Sequence, residues 1–141
     1  MAPAAHRMSK VDTAWLRMDT DANLMMIHGI WFIRPGITLE ALRERVAQRL
    51  LQYPRFRQKV VEDALGAQWV EDEAFDIAHH VQLEPARPRR GRAGAWTEKA
   101  LQQRVAELAS TPLDPARPLW QMHLVQDLDG ASALIARLHH C

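Results

Sequence analysis

The sequence predicts a mixed α/β fold, and three observations carry that prediction. Segments with helical apolar spacing alternate with apolar runs of strand length. Two turn signals, Asp63-Ala64-Leu65-Gly66 and Asp129-Gly130, each separate two strand-like runs and so read as hairpins. The resulting order is strand, helix, hairpin, strand, helix, hairpin. A chain of 141 residues with 48% apolar and 25% charged residues can bury a core in one domain, which excludes global disorder.

Taken in order, residues 9–18 read as a short helix. Val11, Trp15 and Met18 recur at helical spacing behind a Ser9 cap, and their face is expected in the core. Residues 23–33 are apolar on both faces, the pattern of a strand central to its sheet, and Pro35-Gly36 ends it. Thr38 caps a helix to about Leu51, with Leu39, Leu42, Val46 and Leu50 on one face. Residues 56–62 and 67–71 form the first hairpin, and residues 76–81 are expected as a further short strand. Residues 85–95 hold Pro85, Pro88, Gly91, Gly94 and the arginines 87, 89, 90 and 92. They read as a mobile, solvated surface loop, with attraction to the phosphates of a nucleotide-bearing ligand or to anionic lipid headgroups as the functional alternative. Thr97 caps a helix to about Ala109, with Leu101, Val105 and Leu108 inward.

The last hairpin pairs residues 119–128 with residues 131–141, the second strand ending in His139-His140-Cys141. Alternation puts His140 on one face with Leu138, Ala136 and Leu134, and His139 on the other with Arg137. An imidazole at the end of an apolar strand face is expected to be partly desolvated, where a neutral ring can accept a proton. Trp120 alternates with Met122 and Leu124 and belongs to the core. Asp114 and Arg117 shape the turn into this strand.

Histidine also binds metals. Adjacent residues on a strand diverge, so neither His79-His80 nor His139-His140 can chelate one ion, and no ligand spacing recurs; no metal is expected. Nothing marks Cys141 as a lowered-pKa nucleophile. There is no glycine-rich phosphate loop and no serine-hydrolase elbow. A net charge of +1 gives no general attraction to nucleic acid. One cysteine excludes an intrachain disulfide framework and fits a reducing, cytoplasmic compartment. The longest apolar run, residues 24–33, is too short to span a bilayer and holds His28 and Gly29, so membrane association is expected to be peripheral.

Pro112-Leu113-Asp114, Arg117-Pro118-Leu119-Trp120 and the terminal His139-His140 occur in this order with several other segments. These are Met8-Ser9-Lys10-Val11-Asp12 with Trp15, Asn23-Leu24-Met25-Met26, Tyr53-Pro54-Arg55-Phe56-Arg57, Trp69-Val70-Glu71-Asp72, Phe75-Asp76 and His80-Val81. Together they resemble the bacterial wax ester synthase/acyl-CoA:diacylglycerol acyltransferase family, a branch of the CoA-dependent acyltransferase superfamily. The family's His-His-x-x-x-Asp-Gly signature is matched at its two histidines, and the sequence stops at Cys141, before the Asp-Gly.

The resemblance implies a chloramphenicol-acetyltransferase-like fold, of which residues 1–141 form an incomplete N-terminal domain. Residues 1–7 would be an extension and the second domain would be absent. It implies acyl transfer from acyl-CoA, a co-substrate rather than a cofactor, to diacylglycerol or a long-chain alcohol, at the surface of a membrane or lipid inclusion. His140 would be the general base and His139 a structural support. Arg57 would pair with the motif's Asp and stand unpaired without it. Two other readings stay open: a truncated, inactive fragment of such an enzyme, or a condensation-type acyltransferase using carrier-protein thioesters.

Overall fold

A computed structural model describes residues 5–86 and 95–141. Its centre is the C-terminal hairpin predicted from Asp129-Gly130. Strands β6 (Trp120–Leu128) and β7 (Ala131–His139) pair antiparallel. Asp129 and Gly130 both have positive φ, 49° and 74°. That is the backbone of a two-residue type I′ turn, whose twist suits the flanking strands. A bulge between Val125 and Leu128, with Asp127 at φ 56°, shifts the register next to the turn.

Strand β2 (Met26–Ile33) adds to β7 antiparallel, from Met26 opposite His139 to Ile33 opposite Ser132. Strand β5 (Val81–Leu83) adds to β6 in parallel, giving a four-stranded sheet in the order β2-β7-β6-β5.

Helices cover both faces of this sheet, which is why β7 is buried or half-buried along its whole length. Helix α4 (Glu98–Ala109) brings Leu101 and Leu108, with Trp96, onto Val125, Ala133 and Ile135. Helix α2 (Leu39–Arg49) brings Leu42 and Val46 onto Val81, Trp120 and Leu124 on the other face. Each such aliphatic side chain contributes roughly 1.5–3 kcal/mol when fully buried. Thr38 and Thr97 accept hydrogen bonds from the N–H groups of Ala41 and Ala100, as their cap positions predicted. A second sheet, β1-β4-β3, combines β1 (His6–Arg7), β3 (Gln58–Asp63) and β4 (Gly66–Glu71) around Met8, Ala67 and Trp69.

Three expectations are corrected. The apolar face of α1 (Lys10–Met18) is not core: the helix buries no residue, and Val11 and Met18 are 66% and 52% exposed. Helix α1 meets the rest of the chain through Leu16 at the small core and Trp15 at the end of β7. Among the described residues strand β2 is not central but an edge, paired with β7 alone, and Ile27, Ile30, Trp31 and Phe32 are exposed. Residues 76–81 are not one strand. Asp76 caps a single helical turn, α3 (Ile77–His80), by accepting from the Ala78 N–H, and β5 begins only at Val81.

Residues 6–7, read as part of an extension, pair with Trp69 and Gln68 of β4, and Arg7 forms a 3.0 Å ion pair with Asp63. Most of the basic loop at 85–95 lies outside the described residues.

Candidate active site

The end of β7 is clamped from both sides. The N–H of His139 donates to the Leu119 carbonyl at 3.0 Å, and the N–H of His140 donates to the Met25 carbonyl at 2.8 Å. Met25 is itself held by Asp19, whose Oδ1 accepts the Met25 N–H at 2.7 Å. The segment after α1 is thereby tied to the two histidines.

As alternation predicted, the two rings diverge, but their environments are the reverse of those expected. His139 is buried, and burial lowers its pKa. Its Nδ1 accepts from the Cys141 N–H at 3.1 Å, so the neutral ring carries its proton on Nε2. Nε2 faces Asp19 Oδ2 at 3.5 Å and has no hydrogen-bond partner. His140 is exposed. It lies one residue past the end of β7, so its ring does not continue the Leu134–Leu138 face. Instead it stacks on the indole of Trp15, with centroids 4.0 Å apart and planes inclined by 29°. The desolvated imidazole is His139.

Arg57 is not left unpaired. Its Nε meets Glu71 Oε1 at 2.8 Å and its Nη1 donates to the Leu51 carbonyl, because Gln58 opposite Glu71 sets the two side chains on neighbouring strands. Both are about one-third exposed, so no orphaned buried charge arises. Asp114 accepts from the Ala116 N–H at 2.9 Å and faces Arg117 Nε at 3.4 Å, in the turn that leads into β6. Trp120 is buried, its Nε1–H donating to the Phe56 carbonyl at 2.9 Å. Its ring stacks on His80 at 4.6 Å, and His80 lies also against Phe75 at 4.9 Å.

His139 separates two cavities. The larger, about 400 Å³, has apolar walls from Leu16, Leu24, Met26, Leu113 and Leu119, and Asp19, Asp21 and Glu62 also line it. The smaller, about 110 Å³, lies toward Arg55, Trp69 and Cys141. Burial pushes the Cys141 thiol up to about 11, which does not favour a nucleophilic thiolate.

A polar cluster under α4 was not anticipated. Glu84 accepts from Arg104 Nε at 2.8 Å and lies 2.8 Å from His123 Nδ1. Arg137 is buried and donates to the carbonyls of Leu108 and Thr111 and to Gln121. An arginine inside an otherwise apolar strand was the available signal for the latter. Asp19 carried no comparable signal, since only the fold brings it to His139. Among the described residues no three His, Cys, Asp or Glu side chains gather to hold a metal ion, and no helix is long and apolar enough to cross a membrane.

This architecture is that of the CoA-dependent acyltransferase and condensation-domain fold. The X-domain in the complex with OxyB from teicoplanin biosynthesis superposes over 99% of this chain and 29% of its own, with a TM-score of 0.73 at 18% identity, a likeness of fold alone. Residues 8–141 match the wax ester synthase/diacylglycerol acyltransferase catalytic domain, and the chain belongs to that family. The wax ester synthase/diacylglycerol acyltransferase from Marinobacter aquaeolei VT8 superposes with a TM-score of 0.73 at 25% identity, covering 99% of this chain and 33% of that one. Among curated relatives, "Probable diacyglycerol O-acyltransferase tgs3" of Mycobacterium tuberculosis (strain ATCC 25618 / H37Rv) is 40% identical over 94% of this chain and 49% of its own length. The tgs1 protein of the same strain, likewise named a probable diacyglycerol O-acyltransferase, is 31% identical over 96% of this chain and 30% of its own. The chain thus spans half or less of the relatives it matches.

Proposed function

We propose that this chain is the histidine-bearing N-terminal part of an O-acyltransferase that moves a fatty acyl group from acyl-CoA to diacylglycerol or a long-chain alcohol. The observation that carries the reading is His140. In a chain matching the family over residues 8–141, it is an exposed imidazole at the end of the central hairpin, its backbone clamped by Met25 and its ring stacked on Trp15.

An alcohol is too weak an acid to ionise near neutral pH, so a base within hydrogen-bond reach matters. His140 takes the acceptor hydroxyl's proton as that oxygen attacks the thioester carbonyl. The C–S bond breaks, and the departing CoA sulfur receives the proton, leaving the ester and free CoA. No acyl-enzyme is required. His139, with Nδ1 occupied by the Cys141 amide, supports the strand end. The aqueous co-substrate and the lipid acceptor would meet at a membrane or lipid-inclusion surface on the cytoplasmic side. A second domain, as in longer members of the family, would close the site over the exposed His140.

The test is palmitoyl transfer from palmitoyl-CoA to hexadecanol or diolein by the full-length gene product carrying this chain. His140→Ala should cut the rate by about 10²–10⁴-fold, the usual worth of a general base. Equal rates with and without His140 would remove the mechanism. Activity only with a carrier-protein thioester would favour the condensation-type alternative, and activity of the full-length product with none from residues 1–141 alone would favour an inactive fragment.

A further inference from the structure

Helix α1 and the turn between β3 and β4 enclose a cleft of about 380 Å³ that the proposed chemistry does not use. Three cations line it, Arg7, Lys10 and Arg17, and no aspartate or glutamate does. Arg7 is tied to Asp63 at 3.0 Å, whereas Lys10 and Arg17 form no ion pair among the described residues. These two stand two helical turns apart on one face of α1, with the small Ala14 between them. Arg17, in the last turn, suits the helix dipole. Lys10 does not, because it begins the helix, where a positive charge opposes the dipole. Helix stability therefore gives no reason for a cation there.

The rim of the cleft is apolar and lies in water. Leu65, in the hairpin turn, is 84% exposed. Val11 and Met18, each next in sequence to a cleft cation, are 66% and 52% exposed. A Cβ at Gly66 would meet nothing within 4 Å, so the space beside the turn is open. A soluble anion would satisfy the cations and leave these apolar side chains in water. A bilayer offers anionic headgroups to the first and acyl chains to the second.

We propose that this face docks on an anionic phospholipid bilayer, a headgroup phosphate entering the cleft between Lys10 and Arg17 while Leu65 inserts beside it. The proposal deepens the acyltransferase reading, which needs a lipid surface, by naming the face that meets that surface and the charge it selects. Helix α1 is the link between the two. Its Trp15, on the face adjacent to the cleft, stacks on His140, so docking here holds the proposed base about one helix diameter from the headgroups.

Flotation of the full-length gene product tests this on vesicles of phosphatidylcholine alone and of phosphatidylcholine mixed with phosphatidylglycerol. Aggregated protein sediments and is not counted. Partition onto the mixed vesicles should be about 30-fold higher, from about fivefold for each of Lys10 and Arg17. The double variant Lys10→Gln, Arg17→Gln should reduce that preference to about threefold or less. Arg45→Gln with Arg49→Gln removes the same charge from α2 and should leave partition within about twofold of wild type. Leu65→Ser should weaken partition onto the mixed vesicles by about tenfold. All five substituted positions are exposed, so none threatens the core. Equal partition onto the two vesicles, an unchanged preference in the cleft variant, as large a loss in the α2 variant, or indifference to Leu65→Ser overturns the proposal. Flotation needs no turnover. Cleft-dependent flotation by a protein that transfers no acyl group overturns the reaction and leaves the docking. His140-dependent transfer without cleft-dependent flotation overturns the docking alone.

Discussion

The imidazole of His140 lies 4.0 Å from the indole of Trp15, ring to ring, so the proposed base is held by a helix that buries nothing in the main core. An aromatic pair of this kind contributes about 0.5–1.5 kcal/mol beyond its area, and a flat partner restricts the ring to a narrow range of orientations. Trp15→Ala is therefore expected to lower kcat by about 2- to 13-fold in the full-length protein with little change in KM, from the same 0.5–1.5 kcal/mol at 1.36 kcal/mol per decade. Trp15→Phe, which keeps a ring to stack on, should recover most of the rate. Steady-state kinetics with palmitoyl-CoA check this. Equal rates for all three proteins would show that the stack positions nothing.

Glu84, one residue past β5, is held by both Arg104 and His123. Burial alone would raise its pKa, but hydrogen bonds from His123 and Arg104, with the Arg104 charge, bring it down to about 2. A depressed carboxylate contributes stability that is complete above the unfolded value, 4.5, and is lost as pH falls toward 2. Breaking a buried pair by removing one partner costs about 3–5 kcal/mol; Arg104 retains Glu107 at 3.2 Å, so Glu84→Gln is expected at about 2–3 kcal/mol. Urea unfolding at pH 7 measures the loss. Repeating it between pH 4.5 and 2.5 should show a shallower acid dependence in the variant than in the wild type.

How far these features could be read in advance depended on the range of the interaction that makes them. Caps at Thr38 and Thr97, the Asp129-Gly130 turn and the inward faces of α2 and α4 are set within a few residues, and they stand where periodicity and turn chemistry put them. The apolar run of β2 was misplaced because an apolar pattern records a preference for burial and not whether a second neighbouring strand exists. Likewise α1 carries an apolar stripe whose partner is mostly missing among the described residues. At the site, alternation separated His139 from His140 correctly. It failed on their burial because β7 stops at His139 and the chain turns toward α1. The approach of Asp19 to His139, between residues far apart in sequence, leaves no local trace.

His80 gives the fold a pH dependence of its own. It is 1% exposed, sandwiched between Phe75 and Trp120, and its Nδ1–H donates to the Trp120 carbonyl at 2.7 Å. Burial lowers its pKa below the 6.5 of a free histidine, the backbone bond opposing but not cancelling the effect. The unfolded chain thus takes up a proton before the folded one does. Stability is whole above about pH 6.5 and falls as pH drops below it, by at most about 1.4 kcal/mol per pH unit for one group. His28 and His139, also lowered by burial, add to the slope. His80→Phe keeps an aromatic in the sandwich and removes one titrating site. Its unfolding free energy should fall less between pH 7 and 5.5 than that of the wild type. Parallel slopes would assign the acid sensitivity to the other two rings.

The exposed edge at β2 has a consequence for the isolated chain. Ile27, Ile30, Trp31 and Phe32 are 40–66% exposed on a strand whose outer side pairs with no strand among the described residues. A long apolar edge offers both hydrogen-bonding groups and hydrophobic surface to a second chain, the arrangement that proteins usually blunt with lysine or proline. The 141-residue protein should therefore self-associate with rising concentration. Phe32→Lys, at the most exposed of the four positions, should shift the equilibrium toward monomer without lowering stability, because its ring is mostly in water already. Light scattering across a dilution series, wild type against variant, decides the point. A monomeric wild type would mean that the twist of β2, or Trp31 folded over Gly29, already protects the edge; a Cβ at Gly29 would meet the Trp31 ring at 2.3 Å, so Gly29→Ala should then displace the indole and bring association on.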